Sequence, residues 1–375
     1  MGPGGVFFTK KQAPPEEVKT MQRNKVKGRL LFALIAVLFS PLAGAQLAPT
    51  TDAPPVSTAP ALPEDDRPVG TLNVNVNLVT LFFTVKDKNG LLVPHLTKDD
   101  CSVTDEKIPQ TIKNFEAQAN LPLTLGILID TSGSQQRVLP LEQDAGSRFL
   151  QRVIKSKDQA FVLSFDVNID LLQDFTNSPH LLGRALNKAE INTAGGNGAA
   201  GIPGLGGGTV PTIGDPKGTL LYDAVYQASV DKMSSETGRK ALILLTDGQD
   251  EGSRLKITDA IAAAQKANVI VYTILLADRG LYFAQGEWYT GYSAMKRLTE
   301  ETGGRLIDVG NNGPKLEAAF SQIEEELRTQ YLASFKPKDA ALDGKFHHVG
   351  VVCKGDGLRV QVRKGYYAIQ TDQDQ

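Results

Sequence analysis

The sequence predicts an α/β fold, in which a parallel-rich central sheet with helices on both faces is inserted in a small β-sandwich. Two observations lead to this prediction. Across residues 121–330, short and almost continuously apolar runs alternate with segments of helical periodicity, which is typical of a parallel sheet covered on both faces. On either side, residues 71–120 and 331–370 show the alternation of apolar and polar residues that is typical of half-buried strands.

The two flanking segments each contain only a few strand patterns. The first opens with TLNVNVNLVTLFFTVKD, continues through a hairpin signal at Asn89-Gly90, and ends in two short strands within CSVTDEKIPQTIKNFEA. The second contains YLASFKP, FHHVGVVCK and LRVQVRKGYYAI. Because either segment alone has too few strands to bury both faces of a sheet, we expect the two to complete one sandwich.

The central segment contains the patterns of an α/β domain. Its apolar runs predict strands at 121–130, 159–166, 240–248, 269–277 and 305–310. Its amphipathic patterns predict helices at 141–154, 218–233, 257–267 and 315–330. Ligands of an open parallel sheet bind outside the carboxyl ends of its strands, so the residues that follow each apolar run are candidates for a site.

Residues 1–45 are interpreted as an N-terminal extension with a signal peptide. Basic residues at 23–29 precede the apolar run Leu30–Phe39, and Ala43-Gly44-Ala45 provides a cleavage signature. We expect cleavage after Ala45 and export to the periplasm, the cell envelope or the medium; an uncleaved membrane anchor is the alternative. Residues 46–70 form a linker rich in Pro, Ala and Thr, and 371–375 a short tail.

Composition excludes some classes of partner. The formal net charge of −2 gives no basic footprint for nucleic acid. The glycine-rich stretch 191–218 does not contain the Gly-Lys-Ser/Thr of a phosphate-binding loop, so no nucleotide is expected. This stretch is either a ligand-contacting loop or a low-complexity insertion.

The chain has two cysteines, one in each flanking segment. Cys101 and Cys353 could form a disulfide in an oxidising compartment, or they could remain two buried thiols. The sequence leaves both alternatives open.

Oxygen-bearing side chains follow two of the apolar runs. Asp130, Ser132 and Ser134 stand at the end of the first run, and Asp247 follows the run that ends in LILLT. Thr219 opens a predicted helix after the glycine-rich stretch. Carboxylates and hydroxyls are hard ligands that suit Mg²⁺, with Mn²⁺ or Ca²⁺ as alternatives. Aspartate and serine are also common helix N-caps, which is the competing interpretation of the first three residues.

The combination of D-x-S-x-S, a distant threonine and T-D-G resembles the metal-ion-dependent adhesion site of von Willebrand factor A domains, whose fold is Rossmann-like. The resemblance implies direct ligation by Ser132, Ser134 and Thr219, with Asp130 and Asp247 acting directly or through water. The flanks VNLVTLFFTVKDKNG, LTKDDCSVTDEKIPQTI and LRVQVRKGYYA resemble the von Willebrand factor A-related acidobacterial domain, over about residues 72–368.

The function expected from these features is that of an exported, metal-ion-dependent adhesion or interaction module. Its Mg²⁺ would coordinate an acidic group of a partner protein. The alternative is a metal-independent scaffold or assembly protein of the envelope. No enzyme is expected, because no Ser-His-Asp arrangement is apparent and no general base stands out at the strand ends apart from the two aspartates, which would be committed to the ion.

Overall fold

A computed structural model describes residues 78–117, 121–192, 218–277, 289–338 and 344–368. All of these residues belong to one compact unit, Leu72–Gln375. The predicted signal peptide, the linker and nearly all of the glycine-rich stretch lie outside the described residues. Within the described ranges, no helix combines the length and the apolar character that a membrane span requires.

The described residues form fourteen strands, of which the first four and the last four belong to the flanking segments. The first four are β1 (Val79–Lys86), β2 (Cys101–Asp105), β3 (Ile108–Gln110) and β4 (Ile112–Ala117). The central strands are β5 (Leu123–Asp130), β6 (Gln159–Phe165), β7 (Ile169–Thr176), β8 (Arg239–Thr246), β9 (Val269–Leu275) and β10 (Leu306–Asp308). The last four are β11 (Tyr331–Phe335), β12 (Phe346–Cys353), β13 (Arg359–Val362) and β14 (Gly365–Tyr367).

The described residues contain six α-helices, all of which follow strands of the central sheet. They are α1 (Leu139–Val153), α2 (Pro179–Leu186), α3 (Leu221–Gln227), α4 (Ile257–Lys266), α5 (Gly291–Thr302) and α6 (Gly313–Arg328). A π-helical turn, Ala228–Met233, continues α3.

The central sheet has the strand order β10-β9-β8-β5-β6-β7. All neighbours pair in parallel except β7, which pairs with β6 in the antiparallel direction. The predicted fold class is confirmed, with an antiparallel edge added. Strand β7 escaped sequence prediction because most of its side chains are only half-buried or exposed, so it lacks a continuous apolar run.

Two hydrophobic cores cover the faces of this sheet. Ile127 of β5 packs in a core with α1, α2 and α6, whereas the adjacent Leu128 packs in a second core with α3, α4 and α5. Successive strand residues point to opposite faces, so a strand that is covered twice must be apolar throughout. Every residue of β5 and of β8 is buried, and this burial fixes the two strand ends that carry the site.

The flanking segments form two antiparallel sheets, β13-β1-β11-β4 and β14-β12-β2-β3. Each sheet contains strands from both sides of the central domain, as in the pairing of β1 with β11 and of β2 with β12. Phe83 and Tyr331 of one sheet share a hydrophobic core with Val103 and Val351 of the other. The two sheets therefore pack face to face as the predicted sandwich.

Cys101 and Cys353 lie opposite each other in the register of β2 and β12. The structure contains a disulfide between them. Of the two alternatives that the sequence left open, the structure has the bridge.

Glu326 of α6 connects the sandwich to the α/β domain. This carboxylate is 2% exposed and contacts Lys86 of β1 at 2.7 Å and Arg305 at 2.9 Å. Glu326 is therefore a buried carboxylate whose charge is balanced by two cationic side chains, as in a structural ion-pair network.

Candidate metal-binding site

Asp130 and Thr246 are the last residues of β5 and β8, which are neighbours in the sheet. The carboxyl ends of these two strands are called the site edge below. Asp130 is fully buried. Its Oδ2 accepts a hydrogen bond of 2.6 Å from the Thr246 hydroxyl, and its Oδ1 accepts one of 3.0 Å from the Ser132 amide. Hydrogen bonds thus hold both carboxylate oxygens in place, one from the end of β8 and one from the turn that follows β5.

Ser132 and Ser134 lie in the turn that follows β5. Gly133–Gln135 forms a short 3-10 helix, and the two serine hydroxyls are 3.0 Å apart. Ser132 stands at the N-cap of this turn but its side chain makes no capping hydrogen bond. The residue before α1, Val138, has no capping side chain either. Helix capping therefore does not account for the serine hydroxyls, which converge on each other beside Asp130.

Asp247 follows Thr246 directly and is 2% exposed. Its Oδ1 accepts a hydrogen bond of 3.0 Å from the Gln249 amide, and its backbone carbonyl accepts one of 2.8 Å from the Tyr289 hydroxyl. A Cβ atom at Gly291 would overlap this carbonyl oxygen. The start of α5 thus packs directly on the Asp247 backbone and requires a glycine there.

Thr219 lies two residues before the start of α3 and is 7% exposed. Its carbonyl accepts a hydrogen bond of 3.2 Å from the Glu251 amide, in the loop after β8. The next residue, Leu220, donates its amide to the Asp166 carbonyl after β6 at 2.8 Å. Thr219 is therefore fixed between two strand-end loops, on the same side of the sheet as Asp130 and Asp247.

Two buried carboxylates repel each other at the site edge. Burial and the charge of Asp247 raise the pKa of Asp130 to about 7, against hydrogen bonds from Ser132 and Thr246 that lower it. A cation between the two aspartates would remove this repulsion and favour the ionised forms. Hard oxygen donors without sulfur or imidazole fit a divalent ion such as Mg²⁺.

No group of three His, Cys, Asp or Glu side chains in the described ranges is arranged to hold a metal ion. The residues that the structure brings to the site edge are instead two carboxylates and hydroxyl-bearing side chains. Such a set fits a hydrated ion with few charged ligands better than a site enclosed by acidic residues.

Three residues at the site edge were missed by the sequence analysis. Thr246 was noticed only as part of the T-D-G motif and was given no role, although its hydroxyl holds Asp130. Glu142 of α1 is fully buried, and both of its carboxyl oxygens lack a hydrogen-bond partner. Gln135 is also fully buried, with Oε1 unpartnered. Glu142 could have been noticed in the sequence, because it occupies the buried stripe of α1 together with Leu139 and Phe149.

Burial, and after it the charges of Asp130 and Asp247, hold the pKa of Glu142 well above its ordinary value. The Glu142 carboxyl therefore feels the electrostatic field of the same two aspartates. This places a third acidic group close to the site edge.

No family model and no curated protein matches the chain significantly. Solved structures do show similarity. The von Willebrand factor type A protein from Catenulispora acidiphila is 11% identical, with a TM-score of 0.42 over 78% of this chain and 74% of that one. The chain is similar to von Willebrand factor A domains.

Two further structures have the same level of similarity. The von Willebrand factor domain of the type V pili tip protein Mfa5 from Porphyromonas gingivalis is 13% identical, with a TM-score of 0.39 over 55% of this chain and 95% of that one. Proximal thread matrix protein 1 from the mussel byssus, with a zinc-occupied MIDAS motif, is 14% identical, with a TM-score of 0.40 over 57% and 47%. At these values no activity is transferred to this chain.

Proposed function

We propose that this chain is an exported interaction module that holds a divalent cation at the site edge and uses it to bind an acidic group of a partner protein. The ion is Mg²⁺, with Mn²⁺ or Ca²⁺ as alternatives. Asp130, Ser132, Ser134, Thr219 and Asp247 would hold it. The observation that carries the proposal is the placement of two buried carboxylates, Asp130 and Asp247, at the ends of neighbouring strands beside the converging hydroxyls of Ser132 and Ser134.

The donor set supports a role in binding. Two carboxylates and neutral hydroxyls would leave a divalent ion with unsatisfied coordination positions and a strong attraction for another anion. Ser134 is exposed, so the open side of the site faces solvent and a partner can approach it. A carboxylate from a second protein is the hard, charged ligand that suits such a position.

No catalytic activity is included in this proposal. Asp130 already accepts two hydrogen bonds and would be a ligand of the ion, so it is not available as a general base.

The second candidate function is a scaffold of the envelope that binds through the sandwich and needs no metal. Broad hydrolase screening that reveals metal-dependent turnover would contradict the assignment as a binding module.

Calorimetry with Mg²⁺ and Mn²⁺ tests the metal site. We expect Asp130→Ala to weaken binding at least tenfold, because it removes a charged ligand from a buried position. Asp308→Ala is the matched control, because Asp308 ends the edge strand β10 but is exposed and lies outside the proposed ligand set. Unchanged metal binding in Asp130→Ala would overturn the proposed site.

Partner capture tests the interaction. Immobilised protein would be incubated with envelope extract in Mg²⁺ or in EDTA, with Asp130→Ala in parallel. Capture that disappears both in EDTA and in the variant supports metal-dependent binding. Capture that persists in both conditions favours the metal-independent scaffold.

A further inference from the structure

Glu142 is an isolated carboxyl group in the interior of the α/β domain. It lies in the first turn of α1 and its side chain is fully buried. Neither carboxyl oxygen has a hydrogen-bond partner among the described residues. Buried polar groups are nearly always paired, so an exception of this kind requires an explanation in terms of an ion, a water or a functional role.

Glu326 shows how the same chain accommodates a buried glutamate that has a structural role. Glu326 receives Lys86 and Arg305 as ion pair partners and Gln361 as a hydrogen-bond donor. Glu142 has no such arrangement, and its burial, followed by the charges of Asp130 and Asp247, opposes its ionisation. In the metal-free protein Glu142 is therefore buried without a partner and feels the like charges of the two aspartates, an arrangement that an apolar residue of similar size would avoid.

A metal ion at the site edge would change the environment of Glu142 from repulsive to attractive. We propose that Glu142 is a third carboxylate of this metal centre and acts on the ion through coordinated water. This inference rests on the proposed function, since it assumes the ion that Asp130 and Asp247 would hold. Glu142 is a positioning residue, because it would contact water on the ion and not the ion itself.

The water-mediated arrangement follows from the geometry. No three acidic side chains of the described residues are placed to ligate one ion together, so Glu142 does not join the two aspartates as a direct ligand. Mg²⁺ and Mn²⁺ keep several waters, and each water needs acceptors for its hydrogens. The unpartnered Oε1 of Gln135 is a second buried acceptor at this position, next to Ser134, whose Oγ lies 3.4 Å from Gln135 Nε2.

The experiment compares Glu142→Gln with the matched control Glu326→Gln in the full chain. Calorimetry measures Mn²⁺ affinity, and thermal unfolding is recorded in EDTA and in saturating Mn²⁺. We expect Glu142→Gln to weaken Mn²⁺ binding about tenfold or more, the usual effect of losing an outer-sphere partner. Its Tm in EDTA should equal or exceed that of the wild type, while the increase in Tm caused by Mn²⁺ should be smaller.

The control separates this role from a structural one. Glu326→Gln should lower the Tm in both conditions, because it leaves Lys86 and Arg305 without their buried partner, and should not change the affinity for Mn²⁺. Wild-type Mn²⁺ affinity in Glu142→Gln would overturn the role of Glu142 alone. Failure of the wild type to bind Mn²⁺ would overturn the proposed function with it.

A crystal structure of the wild-type protein with Mn²⁺ gives a test that does not depend on the variant folding. The inference requires a Glu142 oxygen within hydrogen-bond distance, about 2.6–3.2 Å, of a water on the ion. A Glu142 carboxyl that contacts no metal-bound water would overturn it.

Discussion

Thr246 donates a hydrogen bond of 2.6 Å to Asp130, and this contact joins the carboxyl ends of β8 and β5. The same hydroxyl oxygen accepts a hydrogen bond of 2.9 Å from the Gly248 amide. The Thr246 side chain therefore orients the Asp130 carboxylate at the end of β5 and also shapes the turn that carries Asp247. The rigidity of the site depends on this threonine, although we do not propose it as a ligand.

Thr246→Val should destabilise the protein, because valine has nearly the same shape but neither donates to Asp130 nor accepts from Gly248. Leaving such buried groups unpaired lowers the free energy of unfolding by about 1–3 kcal/mol. Urea unfolding at neutral pH measures the change. Thr246→Ser keeps the hydroxyl and should retain most of the stability; equal loss in both variants would contradict the role of the hydrogen bonds.

The stability of the metal-free protein should fall as the pH rises from about 4 to about 7. Burial and Asp247 raise the pKa of Asp130 to about 7 in the folded state, whereas an unfolded aspartate titrates near 3.9. Between these values the folded protein binds a proton that the unfolded chain has released, so raising the pH favours unfolding. The raised pKa of Glu142 acts in the same direction.

The pH dependence of stability is tested by measuring unfolding in EDTA across this pH range. The wild type is compared with Asp130→Asn. The variant cannot ionise at this position, so its stability should change less with pH. Saturating Mg²⁺ should also reduce the pH dependence in the wild type, because a bound cation favours the ionised carboxylate. Parallel pH curves for the wild type and Asp130→Asn in EDTA would show that Asp130 is not the group responsible.

Gly291→Ala should disturb the backbone of Asp247 without replacing any proposed ligand. The added Cβ would overlap the Asp247 carbonyl oxygen and lie 2.8 Å from the Gly248 carbonyl carbon, both of them backbone atoms. We expect a loss of about 1–3 kcal/mol in stability and weaker Mn²⁺ binding by calorimetry. Gly133→Ala is the control, since a Cβ there meets nothing within 4 Å. Metal affinity that is equal in the two variants would contradict the packing argument.

The central sheet and the strand-end residues could be predicted because burial on both faces leaves a direct mark on the sequence. Every residue of β5 and β8 is buried, so both strands are apolar over almost their whole length. The change to polar residues at Asp130 and at Asp247 is therefore visible in the sequence. Helix α2 was missed together with β7. Helix α2 has only eight residues, too few to show a clear amphipathic period, although Ser178 caps its N-terminus and Pro179 occupies its first position.

The contacts that support the site could not be predicted, because they join residues far apart in the chain. Thr246 reaches Asp130 across 116 positions, and the Tyr289 hydroxyl reaches the Asp247 carbonyl across 42. An aromatic residue before a helix is equally compatible with an exposed recognition patch and with a packed anchor. Only the folded arrangement shows that Tyr289 is a packed residue whose hydroxyl donates a hydrogen bond to the Asp247 carbonyl.

Removing the disulfide should destabilise the chain strongly. Cys101 and Cys353 are 252 positions apart, so their bond closes a loop that contains the whole α/β domain. Cross-linking such distant residues restricts the unfolded chain, and its loss should lower the free energy of unfolding by about 3–5 kcal/mol. Thermal unfolding with and without dithiothreitol measures this, and the double variant Cys101→Ser/Cys353→Ser should be insensitive to the reductant.

Mass spectrometry of the intact protein under non-reducing conditions checks the bond itself, and a mass with two free thiols would contradict it. The strands β2 and β12 that carry the cysteines come from opposite sides of the central domain. A bond between them ties the first flanking segment to the second even when the α/β domain opens. The reduced protein should therefore lose the sandwich at a lower temperature than the oxidised protein, whereas Mn²⁺ binding at 25 °C should persist as long as β5 and β8 remain folded.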